Sequence, residues 1–245
     1  MTTRREFIKS AAVLAGTGAG LPALTSLGLP GALPADETEG GVPEFKLPSL
    51  PYLPEALEPH LDGRTLRIHH MKQHALHVIG LNKALKQLHE AREKNDFTNI
   101  QAQTRAMTVH AAGHINHTCY FAGMAPVGRG GGTKPVGEFA QRIDRDFGSY
   151  EKFKAQFTAA ALSIDGNGWA VLAYNPEPLD RLFILQLTQE QDCASLGMIP
   201  LVMIDMWEHA YYLKYQYKRD EYVAAWWKVV YWKDAAKRYV IMARS

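Results

Sequence analysis

The sequence predicts an α+β protein in which an N-terminal helical hairpin precedes a domain of helices around a small three-stranded antiparallel sheet. Three observations carry that prediction. Leu66, His69, Ala75, Leu76, Ile79, Leu85 and Leu88 recur at helical spacing, and a second helical stretch follows after a short link. Two largely apolar runs, Trp169 to Tyr174 and Arg181 to Leu187, read as strands and flank Asn175-Pro176-Glu177-Pro178, a plausible hairpin connection. A third apolar run, Ile199 to Ile204, has strand length and no helical periodicity. At 245 residues and 47% apolar composition, the chain has ample material for a packed core.

Residues 1–35 differ in character from the rest. Thr3-Arg4-Arg5-Glu6-Phe7-Ile8-Lys9 precedes a Gly/Ala-rich, mildly apolar run from Ala11 to Leu29, and the whole resembles a twin-arginine signal peptide. The resemblance implies export by the twin-arginine (Tat) machinery to the periplasm or beyond, with cleavage after Ala35. The run is too short and too rich in Gly and Pro for a membrane span, so no stable membrane association is expected after processing. Three of the 27 basic side chains (Arg4, Arg5, Lys9) and one of the 25 acidic ones (Glu6) belong to this segment, which leaves the remainder balanced in charge. A neutral chain offers no electrostatic footprint for nucleic acid.

Residues 36–46, with Gly40-Gly41 and Pro43, read as a tether, and the prolines between 48 and 59 keep the next stretch extended or turned. The first helix is expected from Asp62 or Gly63 to about Glu93 and the second from about Thr98 to Phe121, closing a hairpin domain over 47–130. Gly123, Pro126 and the Gly128 to Gly132 loop end it. The C-terminal domain, 131–245, should open with helices at Val136–Phe147 and Tyr150–Leu162, the latter capped by Ser149. After the three strands, helices are expected at about Glu208–Gln216, Asp220–Val230 and Trp232–Ala243.

The ten histidines are unevenly spread. His70/His74/His77 and His110/His114/His117 each recur at i, i+4, i+7 on one helical face, which is a candidate ligand pattern. A helical two-histidine zinc motif needs a Glu beside its first His, and none is present. Near the C-terminus Asp205 and His209 stand four residues apart where a strand gives way to a turn, so that both side chains can be aimed at one metal. Cys119 and Cys193 are too few for a disulfide framework.

Several blocks carry a wider resemblance: Leu50-Pro51-Tyr52 with Ala56-Leu57-Glu58-Pro59-His60, Ile68-His69-His70 with Lys72, and Ala112-Gly113-His114-Ile115-Asn116-His117. Further along come Arg145-Asp146-Phe147-Gly148-Ser149, Gly168-Trp169-Ala170 and Asp205-Met206-Trp207-Glu208-His209-Ala210-Tyr211-Tyr212. In order and spacing, over about residues 47 to 240, they resemble the iron/manganese superoxide dismutase family. The resemblance implies one Mn or Fe ion held by His69, His117, Asp205 and His209. Three neutral imidazoles and a carboxylate suit a redox-active first-row metal and leave a position open for solvent or substrate. It implies further that superoxide is converted to oxygen and hydrogen peroxide.

Gln191 falls where manganese members carry the glutamine that hydrogen-bonds metal-bound solvent, and Gly113 where iron members often carry it, which leans towards manganese. By the same resemblance Trp169 and Trp207 wall the site. Glu208 would reach across an interface to the partner subunit's ligand, which implies a homodimer or a dimer of dimers. The gateway departs from the family: Gln73 and His77 stand where a histidine and a tyrosine are usual. With its imidazole in place of a phenol, His77 is expected to change charge near neutral pH. Tyr212 resembles the interface tyrosine, and Lys72 and Lys218 are candidates for attracting the anion. The alternative is a metal-binding or scaffold homologue with little dismutase activity.

Overall fold

The computed structural model describes residues 35–37, 41–176, 178–194 and 197–243. The expected twin-arginine signal peptide, residues 1–35, lies outside them apart from Ala35. Ala35–Glu37 (β1) and Pro43–Phe45 (β2) pair antiparallel. Phe45 N–H and C=O bond the Asn82 side chain at 2.9 and 2.8 Å. The expected tether is therefore partly a ribbon pinned to the hairpin, because Asn82 supplies the polar partners that an isolated extended segment lacks.

The first helix of the hairpin is Gly63–Ile68 (α1), a π-helical turn at His69–His74, and Ala75–Glu93 (α2). Asp62 caps its start by accepting from Thr65 N–H at 2.9 Å. The second is Ile100–Ala122 (α3), which packs along α2. Gly137–Phe147 (α4) and Tyr150–Leu162 (α5) follow, with Ser149 Oγ accepting from Lys152 N–H at 3.1 Å as the sequence suggests. The sheet has the order β4-β3-β5, antiparallel throughout, from Trp169–Asn175 (β3), Arg181–Leu187 (β4) and Ile199–Asp205 (β5). Its centre, β3, is buried from Trp169 to Tyr174, which accounts for its continuous apolar run.

Two of the expected C-terminal helices are shorter than the periodicity suggests. Glu208–Ala210 is a 3-10 turn, and Tyr212–Tyr215 (α6) stops at Gln216, whose φ of +50° leaves the helical region. Arg219–Trp226 (α7) ends early because Val230 bridges back to Met124. Trp232–Ala243 (α8) runs as expected. The core between sheet and helices is aromatic: Phe157 stacks on Trp226 with ring centres 5.5 Å apart, and Phe153 packs edge-on to Trp227. Each such side chain contributes roughly 1.5–3 kcal/mol by leaving water. Among the described residues no helix is long and apolar enough to cross a membrane.

An ionic network ties α4 to the β3–β4 turn. Arg142 Nε donates to Asp146 Oδ2 at 3.0 Å and its guanidinium also reaches Asp180 at 2.6 Å, while Asp146 accepts from Leu182 N–H at 2.8 Å. Burial pushes the Asp146 carboxyl up, but the Leu182 N–H and the arginines outweigh it and hold it below the ordinary range. Its stabilisation is thus complete above a pH of about 4 and lost as pH falls through the lowered folded value. Arg142→Ala leaves the buried Asp146 short of a partner. It should cost about 3 kcal/mol and lower Tm by roughly 6–12 °C, with the acid-unfolding midpoint moved to higher pH. An unchanged melting curve would show that the network adds nothing.

Candidate metal centre

Four side chains from three parts of the chain converge beneath the hairpin. His69 opens the π turn, His117 lies on α3, Asp205 is the last residue of β5, and His209 lies in the 3-10 turn that follows. One donor atom from each falls within 4.8 Å of all the others. His69 Nε2 and His209 Nε2 lie 3.0 and 3.1 Å from the same oxygen, Asp205 Oδ2. His69, His117 and Asp205 are fully buried, and His209 is largely so.

Each donor is held from behind. His117 Nδ1 bonds the Gly113 carbonyl at 2.6 Å, which makes Nδ1 the donor and leaves Nε2 with its lone pair facing the cluster. Asp205 Oδ1 accepts from Trp207 N–H at 2.8 Å, and its backbone carbonyl accepts from Tyr222 Oη at 2.9 Å, so Oδ2 is free to face the imidazoles. Trp207 stacks on His209, Trp169 meets His117 edge-on, and Tyr120 and Phe121 pack on His69. These rings wall the cluster.

The donor set fits a metal ion. His117 Nε2 is buried with no hydrogen-bond partner, and His69 Nε2 has none beyond the Asp205 carboxylate, a cost that a cation removes. Donors about 2.1 Å from a common first-row ion and at right angles to one another stand about 3.0 Å apart, close to the spacing around Asp205 Oδ2. Burial drives the His69 and His117 imidazoles towards the neutral form that a ligand requires. For Asp205 burial acts in the opposite direction, but His209 and His69 outweigh it and keep the carboxyl ionised. His209 is itself raised, because Asp205 overcomes the desolvation of its ring.

The alpha-hairpin domain of the iron/manganese superoxide dismutases matches residues 44–125, and the C-terminal domain of the same enzymes matches residues 135–238. The chain belongs to the iron/manganese superoxide dismutase family. A "Superoxide dismutase [Mn]" of Mycobacterium lepraemurium is 46% identical over 196 residues, 80% of this chain and 93% of the relative. Proteins of the same description from Nocardia asteroides and Mycolicibacterium fortuitum are each 45% identical, with the same coverage. The helical hairpin and the three-stranded C-terminal domain are those of this dismutase family.

Other residues singled out from the sequence are placed less uniformly. His77 is half-buried, with its ring centre 5.2 Å from that of His117 and 5.5 Å from that of His110. Burial, and then His110, lower it to about 4, so it is neutral at pH 7 rather than changing charge there. The π turn sets His69 and His74 five residues apart on the buried side and leaves Gln73 half-buried. Glu208 and Tyr212 are exposed, and Lys218 is engaged by Glu221 at 2.8 Å.

Gln191 is not brought to the cluster. Its amide bonds the Gln189 side chain at 3.0 Å, and it lines an outer groove with Thr104, Arg105 and Thr108 of α3. Glu190 turns inward instead, forming a second donor set with His77 and His117. Its carboxyl accepts from Asn116 Nδ2 at 3.1 Å. Burial and the nearby Asp205 raise it to about 7, against the pull of Asn116. The signal lay one residue away, in Asp192: its carboxylate accepts from Thr188 N–H at 3.0 Å and from Gln189 N–H at 2.9 Å, closing the turn that sets which neighbour faces in. Cys119 is a free thiol; the Cys193 side chain is outside the described residues.

Proposed function

We propose that this chain is a superoxide dismutase with one manganese or iron ion held by His69, His117, Asp205 and His209, manganese being favoured. The observation that carries the reading is the convergence of three imidazoles and one carboxylate in a buried site where two of the ring nitrogens have no other partner. The ion supplies a one-electron couple, by which one superoxide is oxidised to oxygen and a second is reduced, with two protons, to hydrogen peroxide.

The residues of the chain do the rest. Asp205 supplies the fixed negative charge of the donor set, and Trp169 and Trp207 pack against His117 and His209. Gln73, on the turn that begins with His69, and His77, on α2 just after it, stand at the approach, where His77 can pass a proton as a neutral imidazole. Manganese is favoured because the His77 ring fills the space over Gly113, where iron members carry a glutamine, and because the relatives above are described as manganese enzymes.

Glu208 and Tyr212 are exposed beside Leu213 and Ile68, a surface suited to a homodimer or a dimer of dimers. Export by the Tat machinery to the periplasm is the reading of the first 35 residues, and it suits a protein that folds and loads metal before transport.

The test is the metal content of the purified chain, with superoxide consumption measured for the manganese-loaded and the iron-loaded forms. One ion per chain with rapid turnover in the manganese form is expected. Full occupancy without turnover would instead make it a metal-binding scaffold.

A further inference from the structure

The two helices of the hairpin carry the same four-residue pattern, His77-Val78-Ile79-Gly80 on α2 and His110-Ala111-Ala112-Gly113 on α3. Residues three apart share a helical face, and each histidine meets the glycine of the other helix. The His77 ring occupies the space over Gly113, where a Cβ would lie 2.1 Å from its Nδ1. The His110 ring occupies the space over Gly80, where a Cβ would lie 2.4 Å from its Nε2. The two rings meet edge-on with centres 5.5 Å apart, and His77 continues to the ligand His117 at 5.2 Å. A file of three imidazoles therefore leads outward from the metal centre. It ends at a groove of about 440 Å³ between the helices, lined by His110 with Lys83, Gln87, Asn99 and Gln103.

As packing alone the arrangement is unfavourable. Glycine is disfavoured inside a helix, and Nδ1 of both rings is buried with no hydrogen-bond partner. Alanine at each glycine, with a smaller apolar side chain opposite, would fill the crossing without either cost. What the reciprocal pattern gains is a fixed place for two rings that hold each other over the glycines. We infer that His110 is a positioning residue of the metal centre, which keeps the His77 ring against the ligand His117 from the groove side. The inference rests on the metal centre proposed above. His110 belongs to neither donor set, so its effect on the centre passes through His77. Without the His110 ring the space over Gly80 is open, and His77 can swing into it and away from His117.

The experiment uses the manganese-loaded full chain, with Mn(II) EPR spectra and superoxide consumption per bound metal recorded where parent and variants are folded. His110→Ala is expected to alter the EPR spectrum and to lower turnover about tenfold, with metal content unchanged. His77→Ala should alter the spectrum too, and adding His110→Ala to it should produce no further change, because the second residue acts through the first. Gly80→Ala places a methyl where the His110 ring sits and should also alter the spectrum, although residue 80 is remote from the ligands; it carries the test if His110→Ala fails to fold. Spectra unchanged in both His110→Ala and Gly80→Ala would overturn the inference, as would a further change when His110→Ala is added to His77→Ala. The EPR comparison needs bound manganese but no catalysis. Absence of turnover in the parent would therefore count against the proposed activity and leave this readout to decide the role of His110.

Discussion

Asp205→Ala is expected to emerge from purification with less than about a tenth of the parent's metal and without superoxide turnover. Asp205 is the one anionic donor of the four, and its Oδ2 is the atom around which His69 and His209 gather at 3.0 and 3.1 Å. Removing it leaves three neutral imidazoles in a fully buried site with no charge to offset a cation. Loss of outer hydrogen-bonding partners alone weakens metal affinity about 10–100-fold, so loss of a donor should cost at least about a hundredfold. Elemental analysis after dialysis, with turnover normalised to bound metal, checks it. Full occupancy in the variant would remove Asp205 from the ligand set.

Gly113→Ala should destabilise the chain by about 1–3 kcal/mol and reduce turnover at least about tenfold. The sign is informative, because Gly→Ala inside a helix ordinarily stabilises by about 1 kcal/mol. A Cβ at 113 would lie 2.1 Å from His77 Nδ1 and 2.2 Å from Cε1, so the imidazole must leave its place. Retreat is hindered by His110, whose own ring fills the space over Gly80, where a Cβ would meet it at 2.4 Å. The displaced ring is the one that packs on His117. Thermal denaturation of Gly113→Ala, His77→Ala and the double variant separates the causes. The double variant should regain the stability lost to the clash, and no recovery would mean that His77 is not what the new methyl meets.

Within the site, legibility in the sequence followed chain distance and backbone regularity. Asp205 and His209 were visible because a strand end and a spacing of four are local features, and His69 and His117 because the surrounding blocks kept the order of a known family. Glu190 was not visible. A strand aims its residues by alternation and a helix by a fixed rotation, but the segment between β4 and β5 is a 3-10 turn whose direction depends on the Asp192 carboxylate. One residue of register there exchanges an outward-facing, half-buried glutamine for an inward-facing acid. The charge state of His77 was likewise misjudged from its ordinary value, because burial beside His110 is a property of two packed helices and of neither alone.

What the sequence determined by itself is the order of elements and the class of chemistry: periodicities of 3.6 and 2 fix helices and strands locally, and the residue types of the ligand blocks fix which metals suit them. What the tertiary structure decided is which side chains share a space. The π turn at His69–His74, the rings lodged over Gly80 and Gly113, and the inward turn of Glu190 all arise where elements distant in sequence meet. There close packing and the need to pair every buried polar group select one arrangement among several that the local chain permits.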